Sequence, residues 1–194
     1  MTSSRLEAFS DGVIAVIITI MVLDLHVPHQ DGLVGLWSVA PRFGIYTMCF
    51  MMVGIYWINH HELLRRTEEV DQKVLWANLI FLFTLSVIPY FVDYLDEKLF
   101  SAFATVLYEI AMIFAGVAFL VLRWSVMRRQ AYGGQLQEAD ERELHKHWIS
   151  LGIYVFALPI ALYRPWLSLS FNIFVTLLWI VPRVDKSKPA QDEV

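Results

Sequence analysis

Uncharged apolar stretches of membrane-spanning length recur along this chain and constrain its fold more than any other feature. Segments 43–59 and 74–92 carry no charge, and 99–122 carries only Glu109. Segments 148–163 and 165–182 are shorter and separated by Arg164 alone, the pattern of two helices joined in a tight hairpin, with Pro159 expected to kink the first. The run 12–23 becomes a full span if 6–25 is helical. A helical crossing takes about 20 residues, so six crossings use roughly 120 and leave about 74 for tails and connections. With 57% hydrophobic and 18% charged residues among 194, the reading is an all-α membrane protein with six transmembrane helices. One six-helix domain over 1–184 and a disordered tail over 185–194 account for the chain. A separate catalytic or ligand-binding head, at about 50 residues or more, has no room. The lone Cys49, in an apolar run, gives neither a disulfide framework nor a cysteine metal site. Nucleic-acid binding is not expected, because there is no basic cluster with interleaved aromatics. The N-terminal run is read as a span rather than a signal peptide, since it ends Asp24-Leu25-His26-Val27-Pro28 without a small-residue cleavage site.

Six spans put both tails on one side, together with connections 59–73 and 123–147. Twelve of the fifteen lysines and arginines then fall on that side; only Arg42, Lys98 and Arg164 fall on the other. The positive-inside rule makes the tail side cytoplasmic. Connection 123–146 reads as two helix extensions around a break at Gly133 and Gly134, followed by solvated surface over the mixed-charge run 138–146.

The first helix differs from the rest in carrying Glu7, Asp11 and Asp24 around its apolar middle. A central membrane carboxylate costs about 2.5 to 3.5 kcal/mol, so it faces protein, water or a partner group. Helical spacing places Phe9, Val16, Ile20 and Leu23 on one face, with Gly12 and Thr19 beside them and Asp11 and Ile18 on a flank. Two readings stay open for this stripe: packing on another helix of the same chain, or lining a pore where copies from several chains meet. Trp57, Asn59, His60 and His61, with Trp76 and Asn78, lie at the depth of Arg5, Ser10 and Asp11. They are expected to form a cytoplasmic-side network that satisfies Asp11 and Arg5.

Other polar residues carry weaker signals. His60, His61 and Glu62 are read as structural, because adjacent helical positions point about 100° apart and zinc sites on a helix need i, i+4 ligands. Asp93, Asp96 and Glu97 read as a solvated outer turn that would concentrate cations at a pore mouth. Glu109 fits a transporter's coupling site, a partner-bonded buried residue or an outer-interface residue equally well.

Arg5, Phe9, Ser10 and Asp11 match an R-x-x-x-F-S-D pattern, continued by Gly-Val-Ile-Ala-Val-Ile-Ile-Thr-Ile-Met-Val-Leu-Asp-Leu over 12–25. Trp57, Asn59 and His60 supply a W-x-N-H run, and a leucine-rich helix follows Trp76 and Asn78. Along its whole length, as a single six-helix repeat, the chain resembles the transmembrane protein 175 family of potassium channels. The resemblance implies a single-repeat prokaryotic member in the cell membrane. It would be a homotetramer with four first helices around one pore, conducting potassium ions passively. By position after the F-S-D triplet, the family's apolar constriction falls on Val16, with Thr19 one turn further and Leu23 near the outer end. Val16 is smaller than the isoleucine or leucine usual there, which leaves the narrowest ring among Val16, Ile20 and Leu23.

No TVGYG loop and no helix with arginine at every third position is present, so carbonyl-filter selectivity and a conventional voltage sensor have no support. An apolar ring gates by dewetting and discriminates by dehydration, so potassium over sodium selectivity is expected to be modest; a preference above roughly a hundredfold would need another filter. The expected partners are membrane lipid, permeant potassium ions and further copies of the chain, with no cofactor. The competing reading is a secondary or proton-coupled transporter using Asp11, Asp24 and Glu109, which would show related halves and broken helices. A membrane enzyme is not expected: Ser10, Asp11 and His60 can be drawn as a triad, but no spacing requires it.

Overall fold

In the computed structural model, which describes residues 2–65, 67, 70–98, 100–130 and 138–180, the chain is a set of eight helices. In chain order these are α1 (Ser3–Ile20, continued by a 3-10 turn Met21–Asp24), α2 (Gly32–Ser38), α3 (Ala40–Arg65), α4 (Gln72–Ser86), α5 (Ile88–Glu97), α6 (Ala102–Gln130), α7 (Glu138–Tyr163) and α8 (Pro165–Ile180). Among the described residues, four stretches are long and apolar enough to cross a membrane: α1 with its 3-10 turn, α4 with α5, α6, and α7. The pair α2 and α3, bent by 51°, makes a fifth, and α8 is a shorter apolar helix. Gly133, Gly134, the 185–194 tail and the Asp24 side chain lie outside what is described.

Several ends are set by single residues. Asp71 Oδ1 accepts from the Val74 amide at 2.9 Å and starts α4; Ser101 Oγ accepts from the Ala104 amide at 3.2 Å and starts α6. Span 74–92 is not one helix. It breaks at Val87, because Pro89 has no N–H to give the preceding turn, and it resumes as α5. The turn after α5 closes through Phe100, whose backbone is left-handed at φ 59°, whose amide donates to the Leu95 carbonyl and whose ring lies 4.2 Å from that of Trp166. Gly35 is demanded by close approach, since a Cβ there would stand 1.8 Å from the Gln30 carbonyl oxygen.

Two expectations from the sequence are corrected. Asp93, Asp96 and Glu97 are not a turn but the last turns of α5; Glu97 is exposed as expected, whereas Asp93 and Asp96 are half-buried and Asp96 pairs with Arg42 of α3 at 2.9 Å. The 138–146 run is not simply solvated surface: it is the start of α7, with Glu143 and His147 buried. The helix extensions themselves are present, in the length of α6 and the early start of α7. At 29 residues, α6 is roughly 43 Å long, longer than the hydrocarbon core of about 30 Å.

α6 is the centre of the arrangement, packed against α4, α5, α7 and α8, while α1 rests on α3 and α4. Buried alanines 104, 111, 115 and 118 on α6, and 157 and 161 on α7, let the backbones approach. An aromatic file crosses four helices: Tyr56 of α3 lies 5.6 Å from Phe81 of α4, which lies 5.1 Å from Phe119 of α6, which stacks 4.9 Å from His147 of α7. The hairpin of α7 and α8 turns on Arg164 alone, and Pro159 sits within α7 without ending it.

Candidate functional site

α1 has two unlike faces. Leu6, Ser10, Ile14, Ile17 and Met21 recur at intervals of three and four and are buried against α3 and α4. Phe9, Val16, Ile20 and Leu23 point the other way, 50%, 57%, 48% and 76% exposed, with Gly12 and Thr19 exposed beside them. Thr19 shares its hydroxyl hydrogen between the carbonyls of Ala15 and Val16 at 2.9 and 3.1 Å, which leaves the oxygen lone pairs turned outward. An open groove runs along this stripe, walled by Phe9, Gly12, Val16 and Ile20 and, opposite, by Ser86 and Pro89 at the break between α4 and α5.

The inner end of α1 is tied by polar bonds in antiparallel register with α3. Ser3 Oγ donates to the Leu64 carbonyl at 2.8 Å, Glu7 pairs with His61 Nδ1 at 2.6 Å, and Asp11 accepts from Trp57 Nε1 at 2.8 Å. The one-turn spacing of Glu7 and Asp11 matches that of Trp57 and His61, so one helix face reads the other. On the adjoining face, Asn78 of α4 joins both helices: its Nδ2 donates to Ser10 Oγ at 3.0 Å, and its Oδ1 faces His60 Nε2 at 2.7 Å. Since Ser10 Oγ donates onward to the Leu6 carbonyl at 2.8 Å, the donors run one way, and Nε2 is the nitrogen of His60 that carries the proton.

Ser10, Asp11, Trp57, His60 and Asn78 are thus brought together, whereas Arg5, Asn59 and Trp76 are not part of this network. Arg5 is exposed and has no hydrogen bond or ion pair with another described residue, Asn59 returns its amide to the Ile55 carbonyl at 2.8 Å, and Trp76 is 61% exposed. The Glu7–His61 pair takes the place that sequence reasoning gave to Arg5. Its signal was the i, i+4 match of two polar pairs on α1 and α3.

Two further buried polar sites lie on α6. Glu109 accepts on Oε1 from Ser168 Oγ and Asn172 Nδ2 of α8, both at 2.7 Å. Arg123 pairs with Glu143 of α7, and both are buried. Sequence reasoning missed the second pair, because Glu143 lies within the mixed-charge run 138–146 and nothing in that run marks which charge turns inward.

Comparison with known proteins fits this geometry. The family model described as "Endosomal/lysosomal potassium channel TMEM175" matches residues 5–89, the stretch holding α1 to α4. A potassium channel of Chryseobacterium sp. (strain P1-3) is 38% identical over 189 residues, 96% of this chain and 98% of that one. The endosomal/lysosomal proton channel TMEM175 of Mus musculus is 31% identical over 101 residues, which are 46% of this chain and 20% of that one. Among solved structures, a lysosomal potassium-selective channel TMEM175 homolog from Chamaesiphon minutus has the same fold, with TM-score 0.78 over 91% of this chain and 95% of that chain at 23% identity. The chain therefore belongs to the TMEM175 family.

Proposed function

We propose that this protein is a potassium-permeable channel of a prokaryotic cell membrane, in which four copies place α1 around one central pore. Potassium ions pass it passively, with lipid and the other three copies as the surroundings. Six crossings are made by α1, α3, α4 with α5, α6, α7 and α8, and both tails are cytoplasmic. Val16, Thr19, Ile20 and Leu23 line the pore, and its apolar rings set the constriction.

The observation that carries this reading is the division of α1. Its inner face, which carries Ser10 of the family signature, is fixed by hydrogen bonds to α3 and α4, so the stripe of Phe9, Val16, Ile20 and Leu23 is held facing away from its own subunit. That stripe includes Gly12 and a threonine oxygen, whereas the outward face of α8 presents the bulky Ile173, Phe174 and Leu177. Potassium-channel relatives in bacteria and a vertebrate relative named as a proton channel support a cation conductor.

Reconstitution in liposomes with single-channel recording tests the proposal. Unitary potassium currents far above a carrier's turnover are expected, and slow saturable flux without unitary events would favour the transporter instead. Reversal potentials in mixed potassium and sodium should give modest selectivity, as dehydration at an apolar ring allows.

A further inference from the structure

α6 returns alongside α4, and the pair has one covered side and one bare side. Tyr56 of α3 touches both helices, 5.6 Å from Phe81 and 5.7 Å from Phe119, so α3 covers the side on which those two rings lie. Two residues along a helix is about 200° around it. At that offset Phe83 and Val121 are exposed, and they belong to a bare side that also carries Trp76 and Ile80 of α4 and Phe114 and Trp124 of α6. The contact of Phe81 with Phe119 sets the register: position 76 lies level with 124, and position 73 level with 127 and 128. Each tryptophan therefore has an exposed cation one turn nearer the end of the bundle, Lys73 below Trp76 and Arg128 below Trp124.

The guanidinium carbon of Arg128 lies 3.5 Å from the centroid of the Trp124 ring, the thickness of two stacked π systems. The fork thus rests on the ring face, and its N–H edges stay open to an acceptor. Neither Lys73 nor Arg128 has a hydrogen bond or ion pair with another described residue. Nor is there an acid on this side to neutralise them. α4 contains none, Asp71 before it turns its carboxylate onto the Val74 amide, and Glu109 of α6 is buried against α8. From Ala102, Trp124 is roughly 33 Å along α6 and Arg128 roughly 39 Å. With a hydrocarbon core of about 30 Å, the indole reaches the interface and the guanidinium the headgroups. We infer that Lys73, Trp76, Trp124 and Arg128 form a binding site for the phosphate of an anionic phospholipid, with its acyl chain along the bare side. Its placement in the cytoplasmic leaflet rests on the orientation proposed above. By bridging Lys73 and Arg128 the lipid ties α4, whose Asn78 anchors α1, to α6.

The test is native mass spectrometry of the full-length protein in detergent micelles, titrated with phosphatidylglycerol or with phosphatidylcholine of the same acyl chains. The wild type should bind phosphatidylglycerol at least about tenfold more tightly. Lys73→Gln combined with Arg128→Gln should bring that ratio below about threefold, and because both side chains are exposed the fold should be unaffected. Arg128→Gln alone should lower the ratio by about threefold or more. Arg164→Gln, which removes the same charge from the exposed turn between α7 and α8, should leave it unchanged. Equal binding of the two lipids by the wild type, an unchanged ratio in the double variant, or the same loss in Arg164→Gln would each overturn the site. Displacement of the lipid by inorganic phosphate would make it a site for a free anion and overturn the assignment. A spin label at Val121→Cys in nanodiscs should be accessible to oxygen, as lipid-facing positions are; protection would mean that another copy covers this side, and would overturn it too. Absent potassium currents would sink the channel reading and leave this site standing, whereas absent lipid selectivity would do the reverse.

Discussion

α6 and α1 are apolar helices of one chain that place their polar groups in opposite ways. In α6, Glu109 meets α8 and Arg123 meets α7, and 56% of its most apolar window is buried, so the helix is completed within its own subunit. In α1 only 28% of that window is buried. Its polar bonds to neighbouring helices fall in the first three turns, and Val16, Ile20 and Leu23 are left outward. The difference separates two tasks. Polar bonds in α6 hold the subunit together, and polar bonds in α1 aim a face that the subunit leaves unfilled.

The contrast breaks first at Arg123. Replacing it with Met leaves Glu143 charged and buried, and should cost about 3 to 5 kcal/mol, read as lost yield and a lower unfolding temperature. Adding Glu143→Leu should recover most of that loss, since a well-packed apolar pair replaces a buried ion pair with little penalty.

On α1 the corresponding loss should be smaller. Asn78→Leu strands the Nε2 proton of His60 and the acceptor capacity of Ser10, at about 2 to 3 kcal/mol by unfolding. Asp11→Ala removes one bond from the partly exposed Trp57 and should cost about 1 kcal/mol, seen as a Tm lower by about 2 to 4 °C. An unchanged Tm would mean the bond between Asp11 and Trp57 does not hold α1.

The smallest effect on stability is expected at the stripe. Val16→Ala should shift unfolding by less than about 0.5 kcal/mol, because the side chain is exposed, while changing unitary conductance. A large loss of stability with unchanged conductance would make the stripe a packing surface, the reading that spacing alone left open.

The residues that sequence made legible are those whose signal is periodic or depth-matched. Val16, Ile20 and Leu23 follow from helical spacing, and Asp11 and Trp57 from lying at one depth. What stayed hidden depends on a partner distant in sequence. Glu143 sits in a charged run that reads as solvated, and its burial is matched by an ion pair with Arg123, twenty residues earlier across the α6–α7 connection. The break in span 74–92 was hidden for a different reason: Pro89 is permitted in a membrane helix, and whether it bends or restarts the chain is decided by packing. Asp93 and Asp96 looked like a turn because charge usually ends a span, but Arg42 of α3 lets α5 continue.

The central claim is that one face of α1 meets permeating ions, and thiol accessibility tests it most directly. The native Cys49 is fully buried, so introduced cysteines at positions 16, 20 and 23 can be read against it. Potassium currents through channels carrying Val16→Cys, Ile20→Cys or Leu23→Cys are expected to be blocked by a water-soluble thiol reagent. Those through Ile14→Cys, on the buried face, and Phe174→Cys, on the outward face of α8, are expected to be untouched. Block at Phe174→Cys with none at positions 16, 20 and 23 would place the ion path elsewhere and contradict the account.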